Sequence, residues 1–132
     1  MARLHHLDLT VSDLGVSIPF YELVLSRLGF RRHTAEGQAP EWRSGSLSIA
    51  LHGAKRGRGK HDRYTPGLHH LAFAAESRAE IEAFHEFLKD KEIKILDAPA
   101  EYDYEPGYYA VFFADPDGMK LELAHTPGWV PR

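Results

Sequence analysis

Two groups of side chains in this 132-residue sequence have types and spacings suited to chemistry. The word Leu-His-His-Leu is written twice, at 4–7 and at 68–71, which is 64 positions apart, and Glu122 stands between two leucines in MKLELAH near the other end. Imidazole nitrogens and a carboxylate oxygen are donors that borderline divalent metals take up. The chain has no cysteine, so disulfides, thiolate sites and a cysteine nucleophile are excluded, and His, Asp and Glu are the ligands that remain. Two imidazoles and one carboxylate around an ion would leave coordination positions free for a substrate.

Those residues must be positioned by strands. From His6 the sequence HLDLTV alternates: Leu7, Leu9 and Val11 on one side, His6, Asp8 and Thr10 on the other. In the second copy, His70 shares its side with Ala72 and Ala74, two small residues that leave room, and in MKLELAH Glu122 lies opposite Met119, Leu121 and Leu123. His6, His70 and Glu122 are therefore the residues expected on the enclosed side, with Asp8 beside His6, while His5 and His69 belong to the helix side or the strand entrance. A buried carboxylate needs a partner, because burial alone costs several kcal/mol. Histidines on alternating strands also serve as polar-tipped filler, and a hairpin glutamate is often simply hydrated, so the residues alone leave a metal site and a plain scaffold both open.

A helix is expected after the first strand, capped by Ser12 or Asp13, with Leu14, Ile18, Tyr21, Leu25 and Leu28 on its inner face and Gly29 ending it. Pro19 implies either an opening turn and a kink, or a main helix starting near Ser17. Short strands are expected near 30–34, 41–43 and 46–51, then a Gly/Lys/Arg-rich loop over 52–67. The order then restarts: the strand LHHLAFAA, a capping box Ser77-x-x-Glu80 with Ile81, Phe84 and Leu88 inward, a strand EIKIL, a loop from Asp97 to Gly107, and a hairpin of YYAVFFA and MKLELAH around Asp115-Pro116-Asp117-Gly118. The tail TPGWVPR is read as irregular. Strand, helix and three strands, written twice, predict an α+β fold of two βαβββ modules forming a cupped mixed sheet, within a single domain: module 1 over about 4–53, a linker over about 54–66, module 2 over about 67–126.

Composition narrows the partners. With 16 basic and 19 acidic side chains the net charge is −3, so no global field favours nucleic acid or an anionic membrane. No apolar leader and no uninterrupted run of 18 apolar residues is present, and the cytoplasm is the expected compartment. The loop KRGRGKHDR, 55–63, carries Lys55, Arg56, Arg58, Lys60 and Arg63 and reads as a flexible linker or a means of steering an anionic substrate. The aromatic stretch EYDYEPGYY, 101–109, reads as a cavity wall or a dimer contact.

HHLDLTVSDLGVSIPFYELVLSRLGF, GLHHLAFAA and FFADPDGMKLEL together resemble the vicinal oxygen chelate superfamily, which includes glyoxalase I, fosfomycin-resistance thiol transferases, extradiol dioxygenases and bleomycin-resistance proteins. The resemblance runs from about Leu4 to His125. It implies that His6, His70 and Glu122 are ligands of a divalent ion, Zn, Mn, Ni or Fe, that the substrate is a small molecule offering vicinal oxygens, and that the protein is a homodimer whose modules are paired within one chain or exchanged between two. Glyoxalase I resemblance would also imply a glutamate where Ala50 stands, with His52 facing the same way two residues on. Fosfomycin-type resemblance would imply a threonine at Asp8 and a basic segment in place of the tail. Extradiol resemblance with Fe(II) would call for an acid/base His and a Tyr, for which Tyr108, Tyr109 and His125 are the candidates. Bleomycin-resistance proteins are stoichiometric binders that have generally lost the ligands. The expectation is a glyoxalase- or lyase-like enzyme in which Glu122 and Asp8 take part in the chemistry, with an Fe(II) dioxygenase and a non-catalytic binder as alternatives.

Overall fold

In a computed structural model, which describes residues 1–34, 37–57 and 59–129, the first alternating segment is strand β1, His6–Val11, with Leu9 and Val11 buried and His6, Asp8 and Thr10 exposed. Asp13 caps helix α1, Leu14–Arg27, its Oδ1 accepting the Gly15 N–H at 2.8 Å. The helix runs through Pro19 instead of starting near Ser17. Pro19 is exposed, so its missing N–H frees a carbonyl one turn earlier where water can reach it. The buried residues of α1 are Ser17, Tyr21, Val24 and Leu25; Leu14, Ile18 and Leu28 are half-buried, so the inner face is turned from the one the leucine spacing suggests. Strands β2, Arg31–Arg32, β3, Glu41–Ser44, and β4, Leu47–Gly53, complete a four-stranded sheet of order β1-β4-β3-β2, in which β1 and β4 are parallel. Its core centres on the fully buried Trp42, whose indole N–H donates to Glu22 of α1.

The second half repeats this order with β5, His70–Ala74, α2, Arg78–Asp90, β6, Ile95–Glu101, β7, Tyr109–Ala114, and β8, Lys120–His125, in a sheet of order β5-β8-β7-β6. The capping box forms: Ser77 Oγ accepts the Glu80 N–H at 3.1 Å, while the Glu80 carboxylate reaches back to the Glu76 N–H at 2.7 Å. Ile81, Phe84 and Leu88 are buried as the spacing predicts, and Phe84 packs edge-on to Phe113. Strand β6 begins later than EIKIL and runs on to Glu101, into the stretch read from sequence as a loop. It is an edge strand with two register shifts against β7, where Pro99 can sit without costing the sheet an interior hydrogen bond. The β7–β8 hairpin turns on Asp115, whose Oδ1 accepts from the Asp117 and Met119 N–H groups, with Gly118 at φ +79.

The α+β fold is therefore two βαβββ modules with a four-stranded mixed sheet each. The chain divides into compact units Met1–Gly59 and Lys60–Arg132, a boundary within the basic loop. Arg58 of that loop and residues 130–132 of the tail lie outside the described residues. Among the described residues no helix is long and apolar enough to cross a membrane.

Candidate metal and substrate site

In module 2, parallel pairing of β5 with β8 sets His70 beside Lys120, Ala72 beside Glu122 and Ala74 beside Ala124. The short side chains at 72 and 74 let the imidazole of His70 reach across. Its Nε2 lies 3.1 Å from Glu122 Oε1. Glu122 is only 2% exposed, so its charge must be met inside the protein. The other carboxylate oxygen, Oε2, accepts the hydroxyl of Tyr108. Burial, and then the bond to Glu122, push the Tyr108 phenol above its ordinary range. Tyr108 reaches Glu122 because the residues paired between them, Ala110 and Ala124, are small.

Beside this pair, Lys120 sets its ammonium 4.2 Å from the centre of the Phe112 ring, placing a cation at one side of Glu122. On the other side is a cavity of about 290 Å³, floored by Ala72, Ala74 and Ala124 and walled by Tyr108, Glu105 and Trp129. Its wall is locked where the tail crosses the aromatic loop: a Cβ added at Gly107, which has φ +79, would stand 2.6 Å from Pro127 Cγ. The stretch 101–109 thus lines a cavity through Tyr108 and Glu105 and stacks on itself through Tyr102 and Tyr104. Tyr109 points away and donates to Glu82, which raises its phenol's pKa, and His125 Nδ1 lies 3.1 Å from the Ala75 carbonyl. Of the three acid/base candidates, Tyr108 is the one on Glu122.

In module 1, His6 and Asp8 share their side of β1 with Ser48, Ala50 and His52 of β4. Asp8 Oδ2 lies 2.8 Å from His52 Nε2, and both side chains are about half exposed. A cleft of about 230 Å³ opens over them, lined also by Gln38 and Glu41. Hydrogen bonds from Arg43, and then Ser48, hold the Glu41 carboxyl below the usual carboxylate range. Ala50 offers no ligand, and the sequence gives no direct hint that His52 would turn to Asp8.

The two His-His doublets adopt one geometry. Nδ1 of His5 lies 2.9 Å from Nδ1 of His6, and Nδ1 of His69 lies 2.8 Å from Nδ1 of His70, with the rings edge-on in both cases. His5 and His69 stand at the strand entrances, one residue before β1 and β5. Burial, and then His70 and the nearby Arg63, lower the pKa of His69.

Of the residues singled out in the sequence, the structure brings His70 together with Glu122, and Asp8 together with His52, while His6 stands in module 1 beside His5 and Asp8. Among the described residues no group of three or more His, Asp or Glu side chains is gathered closely enough to form a metal cage. The donors fit a divalent ion by their chemistry: an imidazole nitrogen next to a buried carboxylate whose second oxygen is held by a phenol.

Two βαβββ modules, each with a four-stranded mixed sheet and a histidine at the head of its first strand, define the fold class as α+β. The sequence profile of the Glyoxalase/Bleomycin resistance protein/Dioxygenase superfamily matches residues 3–123, and the chain belongs to that superfamily. It is 33% identical over 127 residues to the uncharacterised protein YqjT of Bacillus subtilis, covering 91% of this chain and 96% of that protein. It is 29% identical over 123 residues to the metallothiol transferase FosB of Staphylococcus saprophyticus, covering 93% and 76%. The crystal structure of a glyoxylase/bleomycin resistance protein/dioxygenase domain from Frankia sp. EAN1pec superposes with a TM-score of 0.78 at 25% identity, covering 95% of this chain and 98% of that one.

Proposed function

We propose that the protein is a divalent-metal-dependent enzyme of glyoxalase or lyase type, acting on a small substrate with vicinal oxygens, with His6, His70 and Glu122 as the metal ligands. The observation that carries this reading is the buried Glu122 carboxylate beside His70 Nε2, since a buried charge held this way is poised for a cation. The ion would supply Lewis-acid chemistry, taking the substrate's vicinal oxygens and stabilising an enolate or alkoxide. Tyr108 orients the Glu122 carboxylate through its hydroxyl. The cavity over Ala72, Ala74 and Ala124 receives the substrate's apolar part and excludes water from it. Asp8, bonded to His52 in the module 1 cleft, serves proton transfer. The protein would work in the cytoplasm as a homodimer.

An Fe(II) extradiol-type dioxygenase would use the same ligands, and Tyr108 on Glu122 supplies the tyrosine such chemistry calls for. The metal's identity separates the two. Elemental analysis of protein purified without chelator should find about one divalent ion per chain, redox-inert or Ni/Mn for the lyase and iron for the dioxygenase, and none in His6→Ala. Absence of metal from the wild type would overturn both in favour of a metal-free binder, and equal metal in wild type and His6→Ala would remove His6 from the ligands.

A further inference from the structure

We infer that the corner where residues 60–65 lie against the 115–118 turn is an oxyanion site, in which Arg63, Lys120 and the His61 ring take a phosphate-like group of a small molecule. All of these residues belong to the unit Lys60–Arg132. The basic loop, which the sequence leaves open between a flexible linker and an anion-steering segment, is fastened over this part of its length. The His61 N–H donates to the Asp117 carbonyl at 2.7 Å, and the stem of Lys60 lies over Gly118, where an added Cβ would meet its Cδ at 3.6 Å. Asp62 accepts the Tyr64 N–H at 2.9 Å, and the Arg63 guanidinium stands 5.1 Å from the centre of the Tyr64 ring. Tyr64 in turn packs edge-on to His69 with centroids 5.9 Å apart, which brings Arg63 to the head of β5.

The charges gathered there go unanswered. From residue 60 to 132 the sequence has 14 acidic and 8 basic side chains, so carboxylates are plentiful. Arg78, Lys89 and Lys91 each pair with one, whereas Lys60 and the half-buried Arg63 and Lys120 form no ion pair among the described residues. Arg63, Lys120 and His61 all exert their charge on the ring of His69, which places them around one point. Gathering like charges and drawing them partly out of water both cost free energy, and a bound anion offsets both. His61 supplies an independent mark: its Nδ1 is buried with no hydrogen-bond partner among the described residues, and such orphaned atoms are rare in folded proteins. An N–H at that position donates to an anionic oxygen. Two full charges and a donor suit a dianion with several oxygens better than a single carboxylate. In register Lys120 lies beside His70, so the group held there would be the charged end of the substrate; that last step alone rests on the proposed function.

The test is calorimetric titration with inorganic phosphate at low ionic strength, in wild type, Arg63→Gln, Lys120→Gln, Lys120→Arg, Lys94→Gln and His70→Ala. Lys94 is an exposed cation without an ion pair outside this corner, so its variant controls for net charge. Arg63→Gln and Lys120→Gln should each weaken phosphate binding about 10-fold or more, while Lys120→Arg and Lys94→Gln stay within about threefold of wild type. Sulfate should displace phosphate, and acetate at the same concentration should not. No phosphate binding by the wild type, equal affinity in wild type and both glutamine variants at 63 and 120, or an equal loss in Lys94→Gln overturns the site. His70→Ala separates this result from the metal reading. Phosphate binding that survives in His70→Ala supports the anion site whatever becomes of the metal. Binding lost in His70→Ala but kept in Arg63→Gln and Lys120→Gln shows that an ion held the phosphate, and overturns it.

Discussion

At the scale of single residues, Glu122 concentrates the chemistry, and Tyr108 is the partner that most affects it. Removing the hydroxyl in Tyr108→Phe leaves one oxygen of a buried carboxylate without its donor, and should cost roughly 1–3 kcal/mol in urea unfolding. The same bond makes stability depend on alkali. Burial and Glu122 raise the phenol's pKa in the folded protein, so above about pH 10 an unfolded tyrosine ionises while the folded one does not. Stability from this group is therefore complete below that pH and is lost as pH rises further. The slope of stability against pH from 9.5 to 11 should be shallower in Tyr108→Phe, and an equal slope would contradict the assignment. Asp8 behaves differently: its exposed pairing with His52 is worth less than about 1 kcal/mol, so Asp8→Asn should leave the melting temperature nearly unchanged while slowing turnover. That His6 shares a side of β1 with Asp8, and His70 a side of β5 with Ala72, was legible in the sequence because strand alternation fixes parity. The bond from Tyr108 was not, since it depends on how far a phenol reaches over Ala110 and Ala124.

At the scale of elements, caps and turns read well and edges read poorly. Ser77 and Glu80 announce the start of α2 by chemistry local to four residues, and Ser77→Ala should lower stability by about 1 kcal/mol. The inner face of α1 centres on Tyr21, Val24 and Leu25 and takes in Ser17, a small polar residue that no apolar spacing marks, while Leu14, Ile18 and Leu28 lie half-buried at its margin. β6 extends past its apolar core to Glu101 because an edge strand tolerates Pro99 and irregular register, which no alternation pattern signals. The meeting of the aromatic loop with the tail is likewise long-range. Gly107→Ala places a methyl 2.6 Å from Pro127 at a positive φ, so it should force these two segments apart. Increased quenching of Trp129 fluorescence by acrylamide would report that opening, and an unchanged Trp129 would show the wall does not depend on this contact.

At the scale of the whole molecule, the duplicated order of elements was legible because two copies of one pattern reinforce each other, and superfamily membership follows from nearly the full chain. The proposed ligands include imidazoles, and protons compete with an ion for imidazole nitrogen, so metal affinity should fall steeply below about pH 6. The most direct test is X-ray absorption at the metal edge of the loaded protein. A first shell containing two imidazoles and a carboxylate, with no metal retained by His6→Ala, is the predicted result. A shell without histidine scattering, or one identical in wild type and His6→Ala, would contradict it.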